Sequence, residues 1–276
     1  DTELGQGLES IAINYDGSRI VVGAPRISTS LPYAKVYEWN GTNWEITDNM
    51  IFKGKSNYDM FAYSSSISDD GNTVAFGSIY GWVEIWKWNP ENSPGFKWLH
   101  FQTITGSDSS YRLGYHIQLN NDATILAIGE PDYNSTSPSH TKTGRIITYI
   151  NNPYIFDKAN GDWSTHWDSN NKPVFYTQAN IPINSNQLTL EYNKSAADKA
   201  GYLQLGNPYI ARNLQHYTVN SSSTWCLPYQ ARLNGDGTRM IVIVQHIRGG
   251  WTGDVHLLQW DSSSLTWSVH SSREEN

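Results

Sequence analysis

The strongest constraint on the fold is a pattern that returns along the chain. It runs Ile13-Asn-Tyr-Asp-Gly-Ser-Arg-Ile-Val-Val-Gly-Ala-Pro25, then Ile67-Ser-Asp-Asp-Gly-Asn-Thr-Val-Ala-Phe-Gly-Ser78, then Leu119-Asn-Asn-Asp-Ala-Thr-Ile-Leu-Ala-Ile-Gly-Glu-Pro131. A degenerate copy spans Lys199–Pro208, and a last one spans Leu233–Val244. Asp16, Asp70, Asp122 and Asp236 fall in register, as do Gly23, Gly77, Gly129 and Gly206. Each copy leads into an alternating apolar run closed by Asn or Asp, such as Val36–Asn40, Ile85–Asn89, Ile147–Asn151, Gln215–Asn220 and Leu257–Asp261. A further short run follows, marked by Trp44, Trp98, Trp225 and Trp267. In the third unit that last run is expected at Val174–Gln178, after an insertion.

Self-similarity at a fixed period is the signature of stacked repeats. Asp-Gly between alternating apolar runs marks a hairpin, because the turn needs positive φ. Each unit therefore reads strand, turn, strand, loop, strand, turn, strand. No helical periodicity of 3.6 residues persists. The expected fold is all-β: one domain over 1–276, a five-bladed β-propeller of four-stranded antiparallel blades. The blades are expected at roughly 7–52, 58–105, 111–180, 186–227 and 228–271. The innermost strands should be Glu9–Tyr15, Tyr63–Ser68, Tyr115–Asn120, Leu188–Asn193 and Tyr229–Asn234. The competing fold is a β-sandwich with accidental periodicity. Composition agrees with β-structure: 12 Trp, 17 Tyr and abundant Gly suit pleated surfaces and tight turns.

Net charge is −7, with no block of Lys or Arg. That argues against a nucleic-acid partner, which needs a basic stripe for phosphates, and against an anionic membrane surface. No stretch has the length of a membrane-spanning helix. The one cysteine, Cys226, cannot form an internal disulfide and reads as a small buried hydrophobe. Asn40, Asn134, Asn193 and Asn220 head N-x-[ST] sequons in or beside turns and are the candidate glycosylation sites. With a start at Asp1 that suits a processed chain, they point to an extracellular or surface location.

The run Asp-Gly-x-x-Ile-Val-Val-Gly-Ala-Pro followed by Val-Tyr-Glu-Trp-Asn-Gly-x-x-Trp resembles the FG-GAP, integrin-α-like propeller repeat. The variant is similar to those of secreted bacterial proteins and large DNA viruses. The resemblance covers most of residues 7–270 and is poorest in the fourth unit. It implies an extracellular or particle-surface interaction module. Many such blades carry an Asp-x-Asp-x-Asp-Gly loop for calcium, an ion that needs six or more oxygens. Here the turns offer at most Asp69-Asp70 or Asn234-Gly235-Asp236, so no metal and no cofactor is expected.

No hydrolase, zinc-protease or phosphate-loop motif occurs, and the eight His are scattered. Glycoside hydrolases need two carboxylates about 5–10 Å apart. On the expected inner strands only Glu9 and Glu191 are acidic, which leaves a carbohydrate-active enzyme as the alternative. The 157–171 insertion offers Trp163 and Trp167 as a recognition loop, unless both fold back on a blade edge. Loops between second and third strands carry Tyr80, Tyr133, Tyr209 and Trp251, and loops between blades add Tyr58 and Tyr111. Aromatic faces stack on sugars and anchor protein interfaces. The expected function is a non-catalytic module binding a protein or glycan. The remaining alternative is a purely structural element of a virion or other assembly.

Overall fold

A computed structural model describes residues 10–25, 31–56, 58–91, 96–136, 139–140, 144–151, 202–205, 207–209, 225–247, 251–261, 264 and 266–275. Four antiparallel sheets follow one another along the chain. Sheet one holds β1 (Ile11–Ile13), β2 (Arg19–Ala24), β3 (Tyr33–Trp39) and β4 (Trp44–Ile46), with β5 (Phe52–Lys53) also on β3. Sheet two is β6 (Ser64–Ile67), β7 (Thr73–Ser78), β8 (Trp82–Trp88) and β9 (Trp98–Thr105). Sheet three contains β10 (His116–Leu119) and β11 (Ile125–Glu130). After a short hairpin of β12 (Ser135–Thr136) and β13 (Ser139–His140), it adds β14 (Arg145–Asn151) and β15 (Tyr202–Gln204). Sheet four is β16 (Trp225–Leu233), β17 (Arg239–Ile247), β18 (Trp251–Asp261) and β19 (Thr266–Glu275).

The aligned aspartates explain themselves at the first hairpin of every sheet. Asp16, Asp70, Asp122 and Asp236 each accept, at 2.8–3.0 Å, from the backbone N–H two residues on. A side-chain oxygen two residues before the aspartate (Asn14, Ser68, Asn120, Asn234) accepts from the first amide of the second strand, also within 2.7–3.0 Å. The residue after the aspartate has positive φ: Gly17, Gly71 and Gly237, but Ala123 in sheet three. These carboxylates are consumed in fixing turns, which is the short polar side chain's ordinary use. Among the described residues no group of three His, Cys, Asp or Glu could hold a metal.

Neighbouring turns are tied to each other. Tyr15 N–H donates to the Asp69 carbonyl, Asp69 to that of Asn121, and Asn121 to that of Gly235. The sheets are therefore stacked in chain order, one, two, three, four. Apolar side chains fill each junction. Val21, Ala34 and Val36 meet Val74, Phe76, Trp82 and Trp98 between sheets one and two. Ala75 and Ile85 meet Leu126 and Ile128 between two and three. Ile125 and Ala127 meet Met240, Val242 and Leu258 between three and four. Each Val, Leu, Ile, Met or Phe side chain so taken from water contributes about 1.5–3 kcal/mol. Two glycines permit the approach. A Cβ on Gly23 would lie 2.4 Å from the Ala62 carbonyl oxygen, and one on Gly77 only 2.1 Å from that of Gly114. Four-stranded meanders stacked face to face in sequence form a β-propeller arrangement.

The expected fourth unit divides differently. Within 186–227, Tyr202–Gln204 pairs with β14 as the outer strand of sheet three, and Trp225–Leu227 opens β16. Tyr202 is the reason: its ring is buried against sheet two, its hydroxyl donates to the Ala123 carbonyl, and its carbonyl accepts from Gln102. Leu188–Asn193 and Val174–Gln178 lie outside the described residues. The direct link from Asn121 to Gly235 places sheet four against sheet three; among the described residues there are four blade-like sheets besides the β12–β13 hairpin.

Candidate functional site

In an antiparallel meander the first hairpins share one end of the stack, and the second-to-third loops share the other with the connections between sheets. That second end brings four of the expected tyrosines together. Tyr58 is 81% exposed and Tyr80 49%. Their loops are joined by Ser78, whose hydroxyl donates to the Asp59 carbonyl and accepts from the Tyr80 amide. Asp59 is itself a loop organiser, accepting from the amides of Lys55, Ser56 and Phe61. Gly81, at φ +94, packs so closely that a Cβ would sit 2.9 Å from the Ser109 Cα. Ser109 begins the 3-10 turn that ends at Tyr111. The Tyr111 and Tyr133 rings meet edge to face with centroids 5.3 Å apart.

Charged groups brace the two inner tyrosines. Arg112 lies over the Tyr115 ring and pairs with Asp132, whose amide donates to the Tyr111 carbonyl. Arg145 lies 3.8 Å over the Tyr133 ring and pairs with Glu130 across adjacent strands. Glu130 is fully buried, and its Oε1 has no hydrogen-bond partner among the described residues. The two ion pairs sit beside the inner rings, while Tyr58 and Tyr80 are exposed. Asp108 starts the 3-10 turn, and hydrogen bonds from Ser110 hold its carboxyl below the usual range.

Other expected residues fall elsewhere. Tyr209 is not on this face. Its backbone bridges to Ile146, its ring is buried between sheets three and four, and its hydroxyl meets His256 Nδ1 at 2.6 Å. Asp254 lies 3.6 Å from the other imidazole nitrogen. Burial, then the Asp254 charge, push the Tyr209 hydroxyl above the ordinary tyrosine range. An apolar flank on both sides draws the ring in, and the histidine satisfies its hydroxyl. Trp251 opens β18. Trp163, Trp167, Asn193, Asn220, Glu9 and Glu191 lie outside the described residues. Asn40 and Asn134 are exposed, the former at the β3–β4 turn, where its side-chain Oδ1 accepts from the Thr42 and Asn43 amides.

The bracing charges were not anticipated, although a signal existed. Gly129-Glu130-Pro131 carries a carboxylate where Gly23-Ala24-Pro25 has a methyl and Gly77-Ser78 a hydroxyl. A charge at a buried repeat position demands a partner, and Arg145 stands directly opposite in the register.

No protein-family model and no curated protein matches the sequence. Among solved structures the chain is similar to a protein of Bacteroides uniformis assigned as a 6-phosphogluconolactonase. Identity is 10% and the TM-score 0.49, covering 96% of this chain and 54% of that one. It is also similar to TolB from Acinetobacter baumannii, at 13% identity and TM-score 0.40, over 94% of this chain and 42% of that one. The β-propeller domain of Cps50 (Swd1) from Myceliophteria thermophila follows at 12% and 0.39, over 95% and 70%. The chain spans about half the length of the Bacteroides protein.

Proposed function

We propose that the chain is a non-catalytic β-propeller interaction module of the FG-GAP kind, secreted or displayed on a virion or cell surface. It holds a protein or glycan partner on the tyrosine face. The observation that carries this reading is the spatial run of Tyr58, Tyr80, Tyr111 and Tyr133 across sheets one to three, outer rings exposed and inner rings braced by ion pairs. Tyrosines offer a flat apolar surface and a hydroxyl at low conformational cost, which suits both sugar rings and protein anchors. The FG-GAP resemblance and the four sequons support the extracellular or particle-surface placement.

The test is a glycan array together with affinity capture from the source material, run with the intact protein and with a Tyr58→Ala/Tyr80→Ala variant. The expected result is one ligand whose affinity falls at least about 10-fold in the variant, the loss typical of removing an aromatic anchor. A ligand bound equally well by both proteins overturns the assignment of the face. So does turnover of a sugar substrate with no separate binding activity.

A further inference from the structure

The two ends of the stack show a chemistry that its interior does not. In β1, Ala12 faces sheet two, so Ile11 and Ile13 face outward, and they are 62% and 60% exposed. Trp44 stands on the same outward side, in register with Trp39. At the other end, Val242 and Val244 of β17 face sheet three, and the alternating Ile241 and Ile243 point away with Val255 opposite; all three are exposed. Among the described residues, the isoleucines and valines exposed within strands all belong to sheets one and four, whereas sheet two exposes Leu99 and Phe101 on its outer strand. In sheets two and three the positions corresponding to Ile11 and Ile13 hold Ser65 and Ile67, then Ile117 and Leu119, and those corresponding to Ile241 hold Ala75 and Ala127; all are buried.

We propose that these faces are the two halves of one interface, and that the outward side of sheet four in one copy of the chain receives the outward side of sheet one in a second copy. Three observations favour a second copy. The first is continuity: the contact repeats the sheet-on-sheet junction used three times inside the chain. The second is the backbone series between first hairpins. It runs from Tyr15 to Gly235 and ends on a Gly235 amide and a Tyr15 carbonyl that carry no further link of the series among the described bonds. One is a donor and the other an acceptor, so copies add head to tail. The third is the residue at the close-approach position. Gly23 and Gly77 make room for the connection entering the next sheet, at Ala62 and Gly114. The position that follows Asp236 at the same interval holds Ile243. A junction between separate chains has no connection to accommodate, and a large side chain there fills the gap between sheets spaced about 10 Å apart. Both faces are exposed at once, so they do not cover each other within one chain. Two copies joined at both junctions close into a ring, whereas open addition gives longer chains.

The experiment is native mass spectrometry and light scattering over a concentration series. It compares the intact protein, Ile13→Glu, Ile243→Glu and a mixture of the two variants. Far-UV circular dichroism and melting confirm the fold of each; Ile11→Lys and Val255→Lys replace a variant that fails that check. The expected result is assembly of the intact protein into pairs or longer series, loss of assembly in each variant alone, and recovery of pairs in the mixture, where one unaltered junction can form. An intact protein that stays single at every concentration overturns the proposal. So does assembly that responds to only one of the two substitutions, which would indicate like faces meeting. Loss of assembly would leave binding at the tyrosine face unchanged.

Discussion

Trp98 of sheet two and Trp44 of sheet one hold the same place in their repeats, yet their surroundings differ. Each begins the fourth strand and stands opposite a tryptophan in the third, Trp88 and Trp39, with ring centroids 5.3 and 5.5 Å apart. Trp98 is 1% exposed, and its indole N–H donates to the Thr47 hydroxyl of the preceding sheet. Trp267 in sheet four repeats the arrangement, donating to Thr148 of sheet three. Trp44 has no preceding sheet among the described residues and is 39% exposed. The same residue in the same register is core or surface according to whether a sheet lies behind it. The repeat is thus a half-interface, completed by its neighbour, as expected of units that cannot bury both faces alone.

The comparison breaks first if these tryptophans respond alike to truncation. Trp98→Ala should lower stability by about 3–5 kcal/mol, the range for large core truncations. Trp44→Ala should cost about 1 kcal/mol or less, as surface changes do. Urea unfolding of each variant, in protein kept monomeric by Ile243→Glu, makes the contrast. Gly77→Ala comes next. The new methyl meets backbone and should cost about 1–3 kcal/mol. Ile243→Ala, at the corresponding place in sheet four, should shift the urea midpoint far less.

Lys87 sharpens the contrast through pH. Burial in sheet two, partly offset by the Asp70 charge, lowers its ammonium from 10.5 to about 8. Between those values the unfolded chain holds a proton that the folded chain has released, so stability should rise with pH across the window. Lys87→Met should gain on the order of 1–2 kcal/mol at about pH 7, and the gain should shrink towards about pH 10. Paired denaturant midpoints at the two pH values read the change. The smallest effect is expected at the one first hairpin without glycine. Ala123 sits at φ 56, and Ala123→Gly should gain about 0.5–1 kcal/mol by relieving left-handed strain, visible as a rise in melting temperature.

The turns were the most legible part of the sequence, because Asp-Gly flanked by alternating apolar residues encodes both φ and hydrogen bonding locally. Asp16, Asp70, Asp122 and Asp236 accordingly do the same work in all four sheets. Strand membership after the insertion was not legible. Gly206 matched the repeat glycine, but Tyr202 answers to a partner 100 residues away, Gln102, and to the groove of sheet two. Local pattern carries no information about such a partner. The tyrosine face was half legible. Loop position placed Tyr58, Tyr80, Tyr111 and Tyr133 at one end, whereas Tyr209 was drawn inward by His256, a contact spanning 47 residues.

The account stands on sheet three lying directly against sheet four, with no further sheet between them. An Asn121→Cys/Gly235→Cys variant, built with Cys226→Ser to remove the native thiol, tests that contact under mild oxidation. The Asn121 amide reaches the Gly235 carbonyl at 3.3 Å, so a disulfide within one chain should form rapidly and leave the far-UV spectrum unchanged. Two thiols that stay free in the folded protein, with the spectrum intact, would contradict it.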